Sequence, residues 1–290
     1  MEDKNMLNRE LKKMALEIHE KAKNRYNETY DTTMKLCQAL YDARRDSLGL
    51  IQNIELLVNS IANTPKEFES TFAKISAERA SFRSTEEFAK KTQSELVKTG
   101  IGGAAGIGTG AAVAALAPSA AMWVATTFGT ASTGTAISAL SGAVAQKAAL
   151  AWLGGGALSA GGGGIAAGTE LLALAGPVGW GIAAASTAAT GITVGIKNKK
   201  IADAAMEEAK KMTIAAAMLK ETGAKVDDLR EKTVILKDAL YAMYRNNAQY
   251  LNADYTTLDS SGKIALGTLV NNTLSLAELL NKVVEDTDNG

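Results

Sequence analysis

The chain has 290 residues, with 31 basic and 31 acidic side chains, one histidine and one cysteine. A net charge of zero gives the whole chain no electrostatic preference for nucleic acid, and a single cysteine excludes an intramolecular disulfide. The one histidine, His19, lies among charged residues of the first predicted helix. We therefore expect no zinc site, no Cys-His or Ser-His catalytic pair, no cofactor and no enzyme.

Charge is distributed unevenly along the chain. Between Lys98 and Lys197 only Lys147 and Glu170 are charged, and this stretch contains 22 of the 27 glycines and all three tryptophans. The other charges lie in two flanking arms. The predicted parts are an N-terminal helical arm over 1–98, an apolar membrane-interacting region over 99–196, and a C-terminal helical arm over 197–290 that packs on the first.

The N-terminal arm begins with a long predicted amphipathic helix over 3–61, a stretch without proline. Apolar residues recur there at steps of three and four, which mark one stripe of a helix. We expect this stripe to form the core of a helical bundle. Its members are Leu7, Leu11, Met14, Ile18, Met34, Cys37, Leu40, Leu48, Ile51, Ile54, Val58 and Ile61.

The next segment, Asn63-Thr64-Pro65, is typical of a helix stop and restart. A second helix is predicted through Phe68, Phe72, Ile75 and Phe82. The sequence Ser84-Thr85-Glu86-Glu87 has the form of a capping box, which predicts a fresh helical segment that runs to Lys98.

The C-terminal arm repeats this design. Residues 199–253 predict a long helix, Asp259-Ser260-Ser261-Gly262 predicts a turn, and a last helix follows. The acidic pairs Glu207-Glu208 and Asp227-Asp228 are predicted to lie on exposed faces. Neither arm is apolar enough to stand alone, so we expect the arms to pack against each other. The apolar positions of this arm are Ile201, Ala205, Met212, Leu219, Val226, Leu229, Leu236, Leu240, Met243, Ile264, Leu269, Leu276, Leu280 and Val283.

The apolar region is long enough to enter a membrane. Its charge-free stretches contain 48, 22 and 26 residues, and a spanning helix needs about 20, so two or four crossings fit. Larger apolar side chains are sparse, and each Leu or Ile contributes only about 0.5 kcal/mol to insertion. This pattern favours conditional insertion, in which the region is stored in water and then released to a bilayer. A permanently soluble core is the alternative.

Small residues and tryptophans give the apolar region its candidate functional positions. Glycines that recur every four residues allow helices to approach closely in an apolar setting, and tryptophans suit the headgroup boundary. The predicted membrane-inserting or packing residues are Gly102, Gly106, Gly110, Gly164, Gly168, Trp123, Trp152 and Trp180.

The two charges inside the apolar region flank a glycine-rich stretch centred near residue 159. If this stretch is the turn of a helical hairpin, Lys147 and Glu170 lie at similar depth and can form an ion pair, which lowers the cost of carrying charge into an apolar layer. A single span over 148–169 is the alternative, but its eight glycines disfavour a continuous helix.

Basic residues border the apolar region on both sides: Lys98 before it, and Lys197, Lys199 and Lys200 after it. Basic flanks at both ends predict that both arms stay on one side of a membrane. They also attract anionic lipid, by about 1 kcal/mol for each residue near the surface.

The glycine-rich stretches between long amphipathic helices carry a family resemblance. Ser132-Thr133-Gly134-Thr135, Trp152-Leu153-Gly154-Gly155-Gly156 and Gly176-Pro177-Val178-Gly179-Trp180, set between two such arms, resemble the α-helical pore-forming toxins of the cytolysin A and haemolysin BL superfamily. They are also similar to membrane-addressing helices of the apolipoprotein L type. The resemblance implies an all-α, elongated bundle with an apolar helical hairpin head, which refolds, inserts into a lipid bilayer and assembles into a pore with further copies or with companion helical subunits.

The expected function is therefore that of a pore-forming toxin or membrane-disrupting effector. A non-lytic membrane-associated coiled-coil scaffold and a permanently soluble helical bundle are the alternatives. The start of the chain lacks a basic region followed by an apolar one, so we expect no secretory signal peptide. We expect synthesis in a bacterial cytoplasm, a soluble form that converts to a membrane-associated one, and export, if any, by a non-classical route.

Overall fold

A computed structural model describes residues 2–99, 125–127 and 194–282, and the separate positions 135, 137, 140, 144, 145, 148 and 149. These residues are 92% helical and contain no strand. The prediction of an all-α fold with bundle-like packing is thereby confirmed.

The described residues form four long α-helices. Two short 3-10 turns, Ala248–Tyr250 and Tyr255–Thr257, lie between the third and fourth of them. The four helices are α1 (Glu2–Asn59), α2 (Lys66–Thr99), α3 (Val194–Asn247) and α4 (Ser260–Asn281).

The corner between α1 and α2 lies where the sequence predicts a stop and restart. Asn63 adopts a left-handed backbone conformation with φ 54°, which reverses the chain, and α2 begins at Lys66, directly after Pro65. An isolated backbone bridge ties this corner to the loop before α4: the Ala62 N–H donates to Ala253 at 2.8 Å, and the Tyr255 N–H donates to Ala62 at 2.9 Å.

The predicted break at Ser84 to Glu87 is wrong, because α2 runs through these residues without interruption. The Thr85 hydroxyl donates to the Ser81 carbonyl at 3.1 Å, one turn back along the same helix. Glu86 accepts a hydrogen bond from Lys90 at 2.8 Å, one turn ahead. The two inner residues of the apparent capping box therefore bond along a continuous helix.

The chain divides into two compact units. Among the described residues, unit 1 contains 2–35, 93–99, 194–223 and the positions between 135 and 149, and unit 2 contains 36–92, 125–127 and 224–282. The helices α1, α2 and α3 each contribute residues to both units.

Unit 2 has a core of large apolar side chains. The predicted α1 stripe is buried here except for the half-buried Leu48. The apolar faces of α2 and α4 are buried too, but Ile264, predicted to lie on the apolar face of its helix, is 70% exposed. Aromatic pairs extend the packing: Tyr41 stacks on Phe82 with ring centroids 6.4 Å apart. Asp259 caps α4 by accepting the Gly262 N–H at 2.8 Å. Buried members include Leu40, Ile51, Ile54, Ile75, Phe82, Leu240, Leu266, Leu269, Leu276 and Leu280.

One contact between α1 and α3 in unit 1 is made by small residues. Ala15 of α1 and Ala202 and Ala205 of α3 form a buried cluster, with Leu16 packed against it. The Thr33 hydroxyl donates to the Leu219 carbonyl at 3.0 Å, which joins the same two helices further along. Alanine side chains allow two helix backbones to approach closely, so this contact does not use the large residues of the predicted stripe.

The predicted core stripe is wrong for the first part of α1. Leu11, Met14 and Ile18 are exposed by 42%, 61% and 39%. The buried face of α1 in unit 1 instead runs through Ala15 and His19, about a quarter of a turn away at about 100° per residue. The small side chain at Ala15 permits the close α1–α3 contact, which leaves the larger apolar residues facing solvent.

Candidate functional site

The candidate functional site is the apolar region with the helices that border it. Its predicted glycines, its tryptophans and the Lys147–Glu170 pair lie outside the described residues, so their packing and pairing stay predictions. Of the basic flanks, Lys98 lies in α2 and Lys197 in α3, and Lys199 and Lys200 are exposed on α3.

The described positions of the apolar region are mostly buried. Residues 125–127 are helical, and Ala125, Thr126 and Thr127 are all buried within unit 2. Because Thr126 and Thr127 are polar, their burial indicates that this turn is enclosed by protein, where hydroxyl groups find hydrogen-bonding partners.

A second described part of the apolar region belongs to unit 1. Ile137, Ala145, Ala148 and Ala149 are buried, whereas Val144 is 59% exposed. Buried positions at 145, 148 and 149, next to an exposed position at 144, follow the spacing of one helical face. Together with 125–127, seven of the ten positions of the apolar region whose burial the structure describes are buried, so most of these side chains are packed away from water.

The single histidine joins α1 to α3 in unit 1. His19 Nε2 lies 2.8 Å from Glu208 Oε2, and the exposed fractions of the two side chains are 6% and 26%. His19 is one turn after Ala15 and Glu208 one turn after Ala205, so the polar pair borders the alanine cluster. Glu208 is therefore not on a fully exposed face as predicted; its contact with His19 draws it in.

His19→Ala should lower the free energy of unfolding by about 1–2 kcal/mol, because it removes a hydrogen bond to a charged group and leaves a cavity. Urea denaturation of the full chain measures this loss. The matched control is Glu20→Ala in the same turn. The Glu20 side chain is 60% exposed, and its Oε2 lies as far as 4.0 Å from Lys23 Nζ, so we expect this substitution to lower the free energy of unfolding by less than about 0.5 kcal/mol. Equal losses in the two variants would contradict a stabilising His19–Glu208 contact.

In unit 2 a buried arginine holds the end of α4. Arg44 of α1 is fully buried, and its two terminal nitrogens donate to the carbonyls of Leu280 and Lys282, each at 2.9 Å. Burial lowers the pKa of Arg44 to about 9, which still leaves the guanidinium charged at neutral pH. A cation is favourable there, because the C-terminus of a helix carries partial negative charge. Asn281 adds a bond by donating to the Glu78 carbonyl at 2.8 Å.

A polar network joins α1 to α2 in unit 2. The Tyr41 hydroxyl donates to Glu86 Oε1, and Lys90 Nζ donates to the same oxygen at 2.8 Å. Burial alone would raise the pKa of Glu86, but the hydrogen bonds from Lys90 and Tyr41 outweigh it and lower that pKa below 4.5. Burial, followed by the hydrogen bond to Glu86, raises the pKa of Tyr41 to about 12.

Glu86→Gln should make the unfolding free energy less sensitive to acid. The pKa of Glu86 is lower in the folded chain than its ordinary 4.5, so its ionised form stabilises the fold above pH 4.5, and this stabilisation is lost as the pH falls through the folded pKa. Below pH 4.5 the wild type should lose stability more steeply than Glu86→Gln in urea titrations. The exposed neighbour supplies the control: Glu87→Gln should follow the wild-type profile, and an identical profile for all three proteins would refute the role of Glu86.

Within the part of the chain that the structure describes, no helix combines the length and the apolar character needed to span a bilayer. The same residues contain no group of three or more His, Cys, Asp or Glu side chains placed to hold a metal ion.

Comparisons of the chain with protein-family models, with curated proteins and with solved structures found no match.

Proposed function

We propose that this chain is a helical membrane-inserting protein, a pore former or membrane-disrupting effector that is stored as a water-soluble bundle. The observation that carries the proposal is the burial of described parts of the apolar region, residues 125–127 and positions 137, 145, 148 and 149, inside compact units. That region spans about a third of the chain and contains two charges.

The composition of the apolar region supports a change of environment. Burial in protein stabilises apolar groups by about 0.8 kcal/mol per CH₂, and a bilayer interior offers a comparably apolar medium. The described buried residues are mostly alanines, so each loses little when it leaves its packed site. The free energies of the stored and inserted states are then close, and a bilayer can shift the balance.

The arms supply the water-soluble side of this balance. They carry all but two of the charged residues of the chain, and they bury their own cores through contacts such as His19–Glu208 in unit 1 and Arg44–Leu280 in unit 2. Insertion of the apolar region into a bilayer therefore does not require the arms to lose their fold.

The test is dye release from liposomes by the purified full chain. Wild-type protein should release the dye, and Gly106→Leu should reduce the release at least tenfold, because a large side chain blocks the close helix packing that the glycine row is expected to form. Gly49→Leu is the matched control: a Cβ at Gly49 meets nothing within 4 Å, so its release should equal that of the wild type.

The same assay separates the alternative functions. Binding to liposomes without dye release, across anionic and neutral lipids and from pH 5 to pH 8, would contradict a pore and favour a non-lytic scaffold. No binding and no release would contradict both and favour a permanently soluble bundle.

A further inference from the structure

A single row of exposed side chains runs along the first part of α1 in unit 1. Its five members, here called the docking row, follow one another at steps of three and four residues, so they share one helical face. All five are exposed to solvent. The docking row consists of Leu11, Met14, Ile18, Lys21 and Arg25.

The apolar half of the docking row is not used by the bundle. Leu11, Met14 and Ile18 stay exposed because unit 1 packs α1 through its alanine face. Exposed apolar side chains are ordinary when they occur singly, as Ile235 does on α3. Three at consecutive positions of one row, continued by two cations, form instead the pattern of helices that lie at a membrane interface.

Charge favours an anionic partner for this face. Lys21 and Arg25 form no ion pair among the described residues. The described residues of unit 1 carry 15 basic and 12 acidic side chains, whereas those of unit 2 carry 15 of each. Unit 1 also presents the exposed basic flanks Lys199 and Lys200. Glu10, Glu17 and Glu28 are exposed beside the row and oppose this attraction, so the positive excess belongs to unit 1 as a whole, with Lys199 and Lys200 among its exposed cations.

We propose that the docking row is the surface by which the folded protein first binds an anionic lipid bilayer, before the apolar region inserts. This inference rests on the proposed function and names the membrane chemistry that it selects. Apolar side chains of the row enter the interface while Lys21 and Arg25 contact lipid phosphates and carboxylates. A second copy is a poorer occupant, since a stable protein interface buries about 800 Å² on each partner, far more than three partly exposed side chains supply.

The experiment is co-flotation of the full chain with vesicles of phosphatidylcholine alone or with about a third phosphatidylserine. Wild type should bind the anionic vesicles at least tenfold more tightly, and salt should weaken the binding. Lys21→Gln with Arg25→Gln should lower the affinity for anionic vesicles about tenfold. Leu11→Gln, Met14→Gln and Ile18→Gln together should lower the affinity for anionic vesicles at least as much. The circular dichroism and the unfolding midpoint of this triple variant should equal those of the wild type, because the three side chains are exposed.

The control removes three apolar side chains of unit 2 that are more exposed than those of the docking row: Leu56→Gln, Ile235→Gln and Ile264→Gln should leave vesicle binding unchanged. Glu10→Gln with Glu17→Gln should strengthen binding to the anionic vesicles. If the docking-row variants bind like the wild type, or if the unit 2 control loses as much affinity, the docking row is not the binding surface.

Three further results distinguish lipid docking from self-association and from pore formation. If sedimentation shows that the wild type is a dimer and that the triple apolar variant is a monomer, the docking row binds a second copy of the chain. That result would overturn the lipid proposal. Vesicle binding that depends on the row but releases no dye would support docking and overturn the pore. Dye release that survives the docking-row substitutions at full rate would overturn docking alone.

Discussion

Arg44→Ala should lower the free energy of unfolding of unit 2 by about 3 kcal/mol or more. The substitution removes the donors to the Leu280 and Lys282 carbonyls, and an unsatisfied buried polar group costs about 1–3 kcal/mol. It also leaves a cavity where a fully buried side chain stood. Urea denaturation of the full chain, followed by circular dichroism, measures the loss.

The neighbouring arginine provides the control for this prediction. The Arg45 side chain is 56% exposed and lies 3.3 Å from Asp42 of the same helix and 5.7 Å from the centroid of the Tyr41 ring, contacts that together contribute about 1 kcal/mol. Arg45→Ala removes the same side chain from the same turn of α1. Equal free energies of unfolding for the two variants would contradict a stabilising role for the hydrogen bonds from Arg44 to the end of α4.

Ala145→Arg should destabilise the protein by about 3 kcal/mol or more and expose the apolar region. Ala145 is 1% exposed, so the new side chain overpacks its site and brings a charge into an apolar environment. The variant should bind a hydrophobic dye more strongly than the wild type, and trypsin should cut it rapidly at the new arginine.

Val144→Arg is the matched control, since it adds the same side chain one residue earlier at a position that is 59% exposed. Its unfolding free energy should change by less than about 0.5 kcal/mol, and its new arginine should be cut slowly because the backbone stays in a packed helix. Rapid cutting of both variants at equal rates would contradict the storage of the apolar region inside the bundle.

The sequence predicts the fold class and most of unit 2, because large apolar side chains at helical spacing leave few ways to be buried. Leu40, Ile51 and Ile54 on α1 and Phe82 on α2 lie in the core where their periodicity places them. The corner at Asn63 was predictable for a local reason, since Thr64 is a residue type that caps helices and Pro65 suits a helix start.

The same reasoning fails for the first part of α1 in unit 1, because periodicity measures size and spacing but does not identify the partner. Leu11, Met14 and Ile18 form the stronger stripe, yet the contact with α3 uses Ala15. A pattern of large residues does not reveal that α3, with alanines at 202 and 205, packs more closely against a small side chain of α1 than against a large one.

Polar contacts between the helices lie beyond sequence reasoning for a different reason. Arg44 and Leu280 are 236 positions apart, and His19 and Glu208 are 189 apart. Each of the charged partners stands among other charged residues of an amphipathic helix, where solvent exposure is the ordinary expectation. Only the fold brings the partners together, although helical spacing from Leu40 and Ile51 places Arg44, and not Arg45, on the buried face of α1.

The alanine contact between α1 and α3 also determines how these helices can move. Interdigitated leucines resist sliding because each side chain must climb over its neighbours, whereas Ala15, Ala202 and Ala205 present nearly smooth surfaces. At the alanine contact, alignment along the helix axes therefore depends on a directional bond, that of the His19 ring with Glu208. Further along the same helices, large side chains such as Tyr26 and Met212 are buried and resist sliding. Loss of the His19–Glu208 bond should therefore loosen the register of α1 against α3 at the alanine end of unit 1 first.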